Sequence, residues 1–301
     1  MQRRLEVQKE SRPGLTGLLL WLHHQALTHV SQDMQSVDLS FPCLGIDTHA
    51  HLNLKPLRQD LKRVLVRAKE AGVRLIGNVF LNHQAYLQDK ELFQEQEQVF
   101  FLLGVHPHEA HLASSQELQG ISQEFLQEPR LRALGEIGLD FYRLRQEKSL
   151  QIKAFKDQLA LARELELPVV IHCREAEHET LEILQDLGFA HRPLLWHCFG
   201  RDRQLAEEIV SQGWSISVPG IVTFPKAWAL HQAVASIPLK SLHLETDCPF
   251  LAPEPWRGKT NEPSLLPYSA YKVAELQGVH PEYLWEMTAA NSREFFSLQS
   301  Q

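Results

Sequence analysis

The sequence predicts an α/β fold, a (β/α)8 or TIM barrel, preceded by an extra N-terminal segment. Three observations predict it. Short apolar runs recur eight times, stretches of helical periodicity separate them at a spacing of about 30 residues, and most runs end in His, Asp or Glu. The rival open doubly wound sheet would want a glycine-rich phosphate loop after a strand, and no G-x-G-x-x-G or P-loop is present.

In order, the predicted strands cover residues 42–47 (PCLGID), 74–80 (RLIGNVF), 99–106 (VFFLLGVH), 132–138 (RALGEIG), 167–173 (LPVVIHC), 193–199 (PLLWHCF), 214–220 (WSISVPG) and 241–247 (SLHLETD). Most are continuously apolar, as strands covered on both faces should be. Between the first two, residues 56–72 place Leu57, Leu61, Val64, Leu65 and Ala68 on one helical stripe that stops at Gly72. Residues 147–167 and 202–213 repeat the pattern, and 281–298 read as a closing helix over the outside of the barrel.

The chain has 301 residues, 44% of them hydrophobic, enough apolar material for one large core; a formal charge of −7 supplies no overall basic field for nucleic acid or membrane. Any attraction to nucleic acid has to be local or brought by bound cations. The four cysteines (Cys43, Cys173, Cys198, Cys248) form no CxxC pair and no secreted disulfide framework, which predicts reduced thiols and a cytoplasmic setting. All four are expected to be packing residues. Residues 1–40 read as an N-terminal extension, helical or disordered, and 41–301 as one barrel domain. The apolar stretch 15–22 is broken by Gly17 and lacks a small-residue cleavage site, so neither a leader nor a membrane span is expected, and Met34 is a candidate internal start.

Chemistry in such a barrel belongs at the C-terminal ends of the strands. Those ends carry Asp47, His49 and His51 (DTHAH), His106 and His108 (GVHPH), Glu136 and Asp140 (GEIGLD), His172 (IHCR), His197 (WHCF), and Glu245 and Asp247 (ETD); only the second and seventh strands lack such a residue. Singly, each His is a hydrogen-bonded rim residue and each acid a cap or turn former. Together they would crowd one barrel mouth with titratable groups whose desolvation is costly, and bound cations remove that cost. In an extended H-x-H, residues i and i+2 point the same way, so His49 and His51 can chelate one ion. His172 and His197 end neighbouring strands and can share another. Glu136 lies between the pairs with two oxygens to divide among them, and Asp247 comes beside the first strand once the barrel closes. The donor set suits two divalent ions, Zn, Mn, Fe or Ni, with Mg as a working ion.

In these residues the chain resembles the TatD-type metal-dependent hydrolases of the amidohydrolase-like superfamily, over about residues 44–298. The likeness rests on an ordered set of motifs: DTHAHL, GVHPH, GEIGLDF, VIHCREA, WHCF and ETDCPFLAPEPWRGKTNEP. It implies His49, His51, Glu136 and Asp247 on one ion and Glu136, His172 and His197 on the other. It further implies that His106 contacts substrate and that Arg257, Lys259 and Asn261 line the entrance. The activity it implies is phosphodiester hydrolysis, trimming DNA from the 3′ end, with a metal-bridged hydroxide as nucleophile and Asp247 and Glu136 as the catalytic carboxylates. DNA is then the expected partner, with no membrane and no obligate protein partner. Two other readings stand beside it. A cyclic-amide hydrolase or deaminase on the same barrel would use a modified lysine as the bridge, and the fourth strand offers Glu136 and no lysine. A non-catalytic binding barrel would gain little from a complete ligand set. The forty-residue N-terminal segment departs from the family pattern.

Overall fold

Eight apolar runs become eight strands: β1 Gly45–Ala50, β2 Val73–Phe80, β3 Val99–Leu103, β4 Leu131–Asp140, β5 Val169–Arg174, β6 Leu194–Trp196, β7 Ser215–Val218 and β8 Leu242–Leu244. The computed structural model describes residue 39 and residues 41–299. The predicted extension over 1–40 falls, but for Leu39, outside the described residues. The strands pair in chain order, β1 to β8, each parallel to the next. Closure falls on the segment after β8. Ala50 bridges Cys248, Asp247 N–H donates to the His49 carbonyl (2.9 Å), and His51 N–H donates to the Cys248 carbonyl (2.8 Å). The last motif is thereby stitched to the first.

The helices are α1 Leu61–Glu70, α2 His83–Asp89, α3 Ser115–Gln127, α4 Lys148–Glu164, α5 Glu177–Asp186, α6 Arg203–Ser211, α7 Trp228–Ser236, α8 Leu266–Gln277 and α9 Pro281–Phe295. Their starts follow capping chemistry. Asn82, Ser114 and Asp202 each accept a hydrogen bond from the backbone N–H three residues on. The stripe predicted for 56–72 divides into a 3-10 turn, Leu57–Asp60, and α1, which buries Leu61, Val64, Leu65 and Ala68. Among the described residues no helix is long and apolar enough to cross a membrane.

Two apolar layers follow from strand alternation. Ile171, Trp196, Ile216 and Leu244 face the helices, while Ile46, Val79, Phe100, Leu102, Ala133, Val170 and Leu195 form an inner cluster. Predicted to cover the outside, α9 also serves the inside: Ala289, with Phe296 just past the helix end, joins the inner cluster, and the Phe296 ring lies 4.9 Å from that of Phe100. The inner cluster forms a floor. On β5 and β6 the residue two places beyond it is a histidine, Val170 being followed by His172 and Leu195 by His197, so dry floor gives way to polar rim within one strand repeat.

Candidate metal centre

Glu136 stands at the middle of the rim. Its Oε1 is 3.6 Å from His49 Nε2 and 3.7 Å from His51 Nε2, whereas its Oε2 is 3.0 Å from His172 Nδ1 and 2.7 Å from His197 Nε2. Asp247 Oδ1 joins the first group, 3.3 Å from His51 Nε2 and 3.9 Å from His49 Nε2. The rings of His49 and His197 stack at 4.0 Å, and the two histidines of the second group approach to 3.4 Å through His197 Nε2 and His172 Nδ1. His106 completes the rim, its ring 4.6 Å from His172 and close enough to group with Glu136 and His172.

Backbone phase changes make this convergence possible. Ile46 and His49 are three apart, as are Ala133 and Glu136, so strict alternation would turn one of each pair outward. Register shifts between Asp47 and Ala50 on β1, and between Leu134 and Ile137 on β4, reverse the phase. Beyond Glu136, Gly138 has φ +142°, and a Cβ there would stand 2.0 Å from the His172 carbonyl oxygen. Only glycine lets β4 approach the ligand strand so closely. At the rim, Asp247 (φ +53°) and Cys198 (φ +50°) both occupy the left-handed region, a sparsely populated conformation that the surrounding structure holds in place.

The donor chemistry fits divalent ions. Ligand atoms about 2.1 Å from one ion stand roughly 3–3.5 Å from each other; the contacts of His49 and His51 with Glu136, at 3.6 and 3.7 Å, are too long for direct hydrogen bonds, whereas Glu136 Oε2 is within hydrogen-bond distance of both His172 and His197. His49 Nε2, the ring nitrogen that faces Glu136 and Asp247, is buried without a hydrogen-bond partner, a condition expected of a group that serves something else. The charges compensate one another. Burial works against the charge on Glu136, yet the imidazoles of His197, His106 and His49 hold its carboxyl well below the usual range. Burial likewise opposes a charged His197, and the Glu136 carboxylate beside it raises it well above an ordinary histidine. Burial lowers His49, with His197 adding to the effect, and lowers His106 far below its ordinary value.

A second layer grips these residues. Asp140 Oδ2 lies 3.2 Å from His172 Nε2 and 2.9 Å from His108 Nε2. Glu245 Oε1 lies 3.7 Å behind His197 Nδ1 and accepts from the Cys198 N–H (2.5 Å); its Oε2 accepts from Ser217 Oγ (2.6 Å). Asp47, its carboxyl pushed up to about 7 by burial against the hydrogen bonds of Thr246, accepts from both the Thr246 hydroxyl and its N–H. Carboxylates behind metal-facing imidazoles fix tautomer and orientation. Asp140, His108 and Glu245 were visible at strand ends without a role. Ser217 had no sequence signal, a serine inside an apolar strand being unremarkable, so β7 serves the site after all.

The entrance loop differs from expectation. Asn261 is fully buried, its amide donating to the carbonyls of Thr246 (2.8 Å) and Phe250 (2.6 Å) while its Oδ1 accepts from Glu262 N–H. It pins the loop from within and presents no free polar group to the entrance, because every hydrogen-bonding atom is engaged. Arg257 and Lys259 are exposed on that loop, the Arg257 guanidinium lying over the Phe224 ring at 4.3 Å. Two cysteines also depart from the packing role. Cys43 is exposed, and Cys198, turned by its positive φ, brings Sγ to 3.8 Å from Asp247 Oδ2 instead of facing the helices. Cys173 meets Thr180 of α5, and Cys248 lies in the outer core.

Residues 46–297 match the family model described as TatD related DNase. The chain belongs to that family. It is 35% identical over 252 residues to the uncharacterized metal-dependent hydrolase YabD of Bacillus subtilis, covering 84% of this chain and 98% of that one. It is equally similar, 35% over 260 residues, to a protein of Erwinia amylovora named 3'-5' ssDNA/RNA exonuclease TatD, with 84% and 99% covered. The crystal structure of YJJV, a TatD homologue from Escherichia coli, superposes with a TM-score of 0.80 at 28% identity over 85% of this chain and 99% of that one. The protein is thus a TatD-type metal-dependent hydrolase of nuclease type on a TIM barrel.

Proposed function

We propose that this TatD-family chain hydrolyses phosphodiester bonds at the 3′ end of single-stranded nucleic acid, DNA foremost, using two divalent ions that share Glu136. The observation that carries the reading is the division of the Glu136 carboxylate, Oε1 toward His49 and His51 and Oε2 toward His172 and His197. His49, His51 and Asp247 would hold one ion with Oε1, and His172 and His197 the other with Oε2. The name of the Erwinia relative supports the substrate class and the direction of trimming.

Divalent ions bound there supply Lewis-acid polarisation of a phosphoryl oxygen and make water acidic enough to attack near neutral pH. The protein's own residues do the rest. Asp247 reaches the rim from a strained backbone position beside His51 and takes the proton of the attacking water. His106 accepts the His108 N–H at Nδ1 (3.0 Å), so its ring proton sits on Nε2; buried and neutral, it donates to a phosphoryl oxygen as charge develops. Asp140 and Glu245 keep His172 and His197 in place.

Purified protein with manganese, offered a single-stranded oligonucleotide, a small phosphodiester and a dihydrouracil-type cyclic amide, should shorten the first from its 3′ end and turn over the second. A chelator should abolish both activities. Turnover of the amide alone would replace this reading with that of a cyclic-amide hydrolase.

A further inference from the structure

The loop that follows β4 is built unlike the rest of this acidic protein. Residues 141–148 read FYRLRQEK, with three cations against one acid, Glu147. Tyr142 and Leu144 are 55% and 57% exposed, and Arg143, Arg145 and Lys148 are exposed beside them. Arg174, at the end of β5, stands in register with Asp140, and its carbonyl accepts the Phe141 N–H (2.8 Å). Its guanidinium lies over the Tyr142 ring at 4.0 Å, and Lys148 lies over Phe141 at 4.0 Å. Glu175, which follows Arg174, is exposed as well, and Glu177 beyond it is paired with Arg201. Among the described residues none of Arg143, Arg145, Lys148 and Arg174 stands within ion-pair distance of a carboxylate, whereas Arg58, Arg67, Arg130 and Arg201 all do.

This patch is joined to the metal centre. Asp140 accepts the Arg143 N–H through Oδ1 (2.7 Å) and meets His172 through Oδ2. Arg174 is two residues beyond His172 on the same strand, hence on the same face about 6.6 Å further along. An aromatic face holding a stacked guanidinium, flanked by free cations at the lip of a phosphodiester site, matches what single-stranded nucleic acid needs: a π-surface for a base and charge for the phosphates beside it.

We propose that Tyr142, Arg143, Arg145 and Arg174 form a binding track for the single strand that trails from the cleaved 3′ end, a base stacking on Tyr142 and the phosphates pairing with the three guanidinium groups. The track rests on the function proposed above and names where the body of that substrate lies. It also answers how a chain of charge −7 attracts a polyanion: the attraction is local.

The test is binding without turnover. Fluorescence anisotropy of a 5′-labelled oligodeoxynucleotide of about 15 nucleotides, in chelator, compares the wild type with Arg143→Ala/Arg145→Ala/Arg174→Ala, with Tyr142→Ala, and with Lys69→Ala/Lys240→Ala, which removes two exposed cations near the strand starts. The triple variant should bind about ten-fold more weakly at low salt. Its slope of log affinity against log salt should be shallower by about 2, since each phosphate contact with a single strand contributes roughly 0.7. Tyr142→Ala should weaken binding about five-fold or more with an unchanged slope. The Lys69/Lys240 variant should match the wild type. Wild-type affinity in the triple variant, or an equal loss in the Lys69/Lys240 variant, overturns the track. Because no catalysis is read, the two ideas fail separately. A protein that cleaves no phosphodiester yet loses oligonucleotide affinity in the triple variant keeps the track and loses the exonuclease reading. Shortening of an oligonucleotide from its 3′ end in manganese, together with undiminished oligonucleotide affinity in the triple variant, does the reverse.

Discussion

Replacing Glu136 by glutamine changes one atom and tests the whole centre. The side chain keeps its volume in a site where it is 3% exposed, so the core is not opened. What changes is the division of labour. Oε1 faces His49 and His51 at 3.6 and 3.7 Å, and Oε2 faces His172 and His197 at 3.0 and 2.7 Å. An amide has one oxygen, and its nitrogen donates hydrogen bonds and does not ligate cations. Whichever way it turns, one group of histidines faces an NH2, and the negative charge between the groups is gone. Equilibrium dialysis against manganese or zinc followed by elemental analysis should show occupancy falling from two ions per chain to one or none. A Lewis acid contributes several kcal/mol to stabilising the transition state; a loss of about 4 kcal/mol, at about 1.4 kcal/mol per factor of ten, lowers kcat roughly 10³-fold. Near-ultraviolet circular dichroism should stay that of the wild type. Two ions retained in Glu136→Gln, or more than about a tenth of the wild-type kcat, would refute the idea that this carboxylate joins the two histidine groups.

Three further predictions bear on neighbouring features. Glu245→Gln keeps an acceptor for the Cys198 N–H, while the Ser217 hydroxyl can turn to accept from the new NH2, but it removes the charge behind His197, so metal affinity at that position should fall about 10- to 100-fold with the fold intact; titration with a competing chelator measures it, and unchanged affinity would make Glu245 a packing residue. Gly138→Ala sets a methyl against the His172 carbonyl and a side chain at φ +142°, which should destabilise the protein by more than about 1 kcal/mol in urea unfolding and loosen metal binding together. His243 is held neutral by burial, its pKa pushed down to about 3, with Nδ1–H donating to Ser292 Oγ (2.9 Å), which itself donates to Thr288 O (2.8 Å). Below about pH 6.5 the unfolded chain takes up a proton that the folded chain refuses, so stability falls by about 1.4 kcal/mol per pH unit until near pH 3. His243→Leu removes that contribution while Ser292 keeps its bond to Thr288. Its stability, measured by denaturant unfolding between pH 6.5 and 4, should therefore decline less steeply than the wild type's; parallel curves would refute the assignment.

The barrel could be read from the chain because its determinants are local. Apolar runs of strand length and helical stripes such as Leu61, Val64, Leu65 and Ala68 declare themselves within a few residues, and parallel strands joined by helices leave few ways to close. The chemical types at the strand ends were equally plain, since His, Asp and Glu are hard to bury without purpose. Alternation went astray at Cys198, where a positive φ turns the side chain back toward Asp247, and composition misled at Asn261, whose polar loop folds over it and consumes its amide.

What the sequence by itself determined is therefore the repeat, the order of the strands and the inventory of donors. Tertiary structure alone decided which donors meet. The phase reversals on β1 and β4 that bring His49 and Glu136 inward, the stitching of Asp247 to His49 and the reach of Ser217 to Glu245 depend on hydrogen bonds between strands distant in sequence. A strand's pleat fixes the direction of its side chains only until its register shifts, and register is a property of the pair of strands.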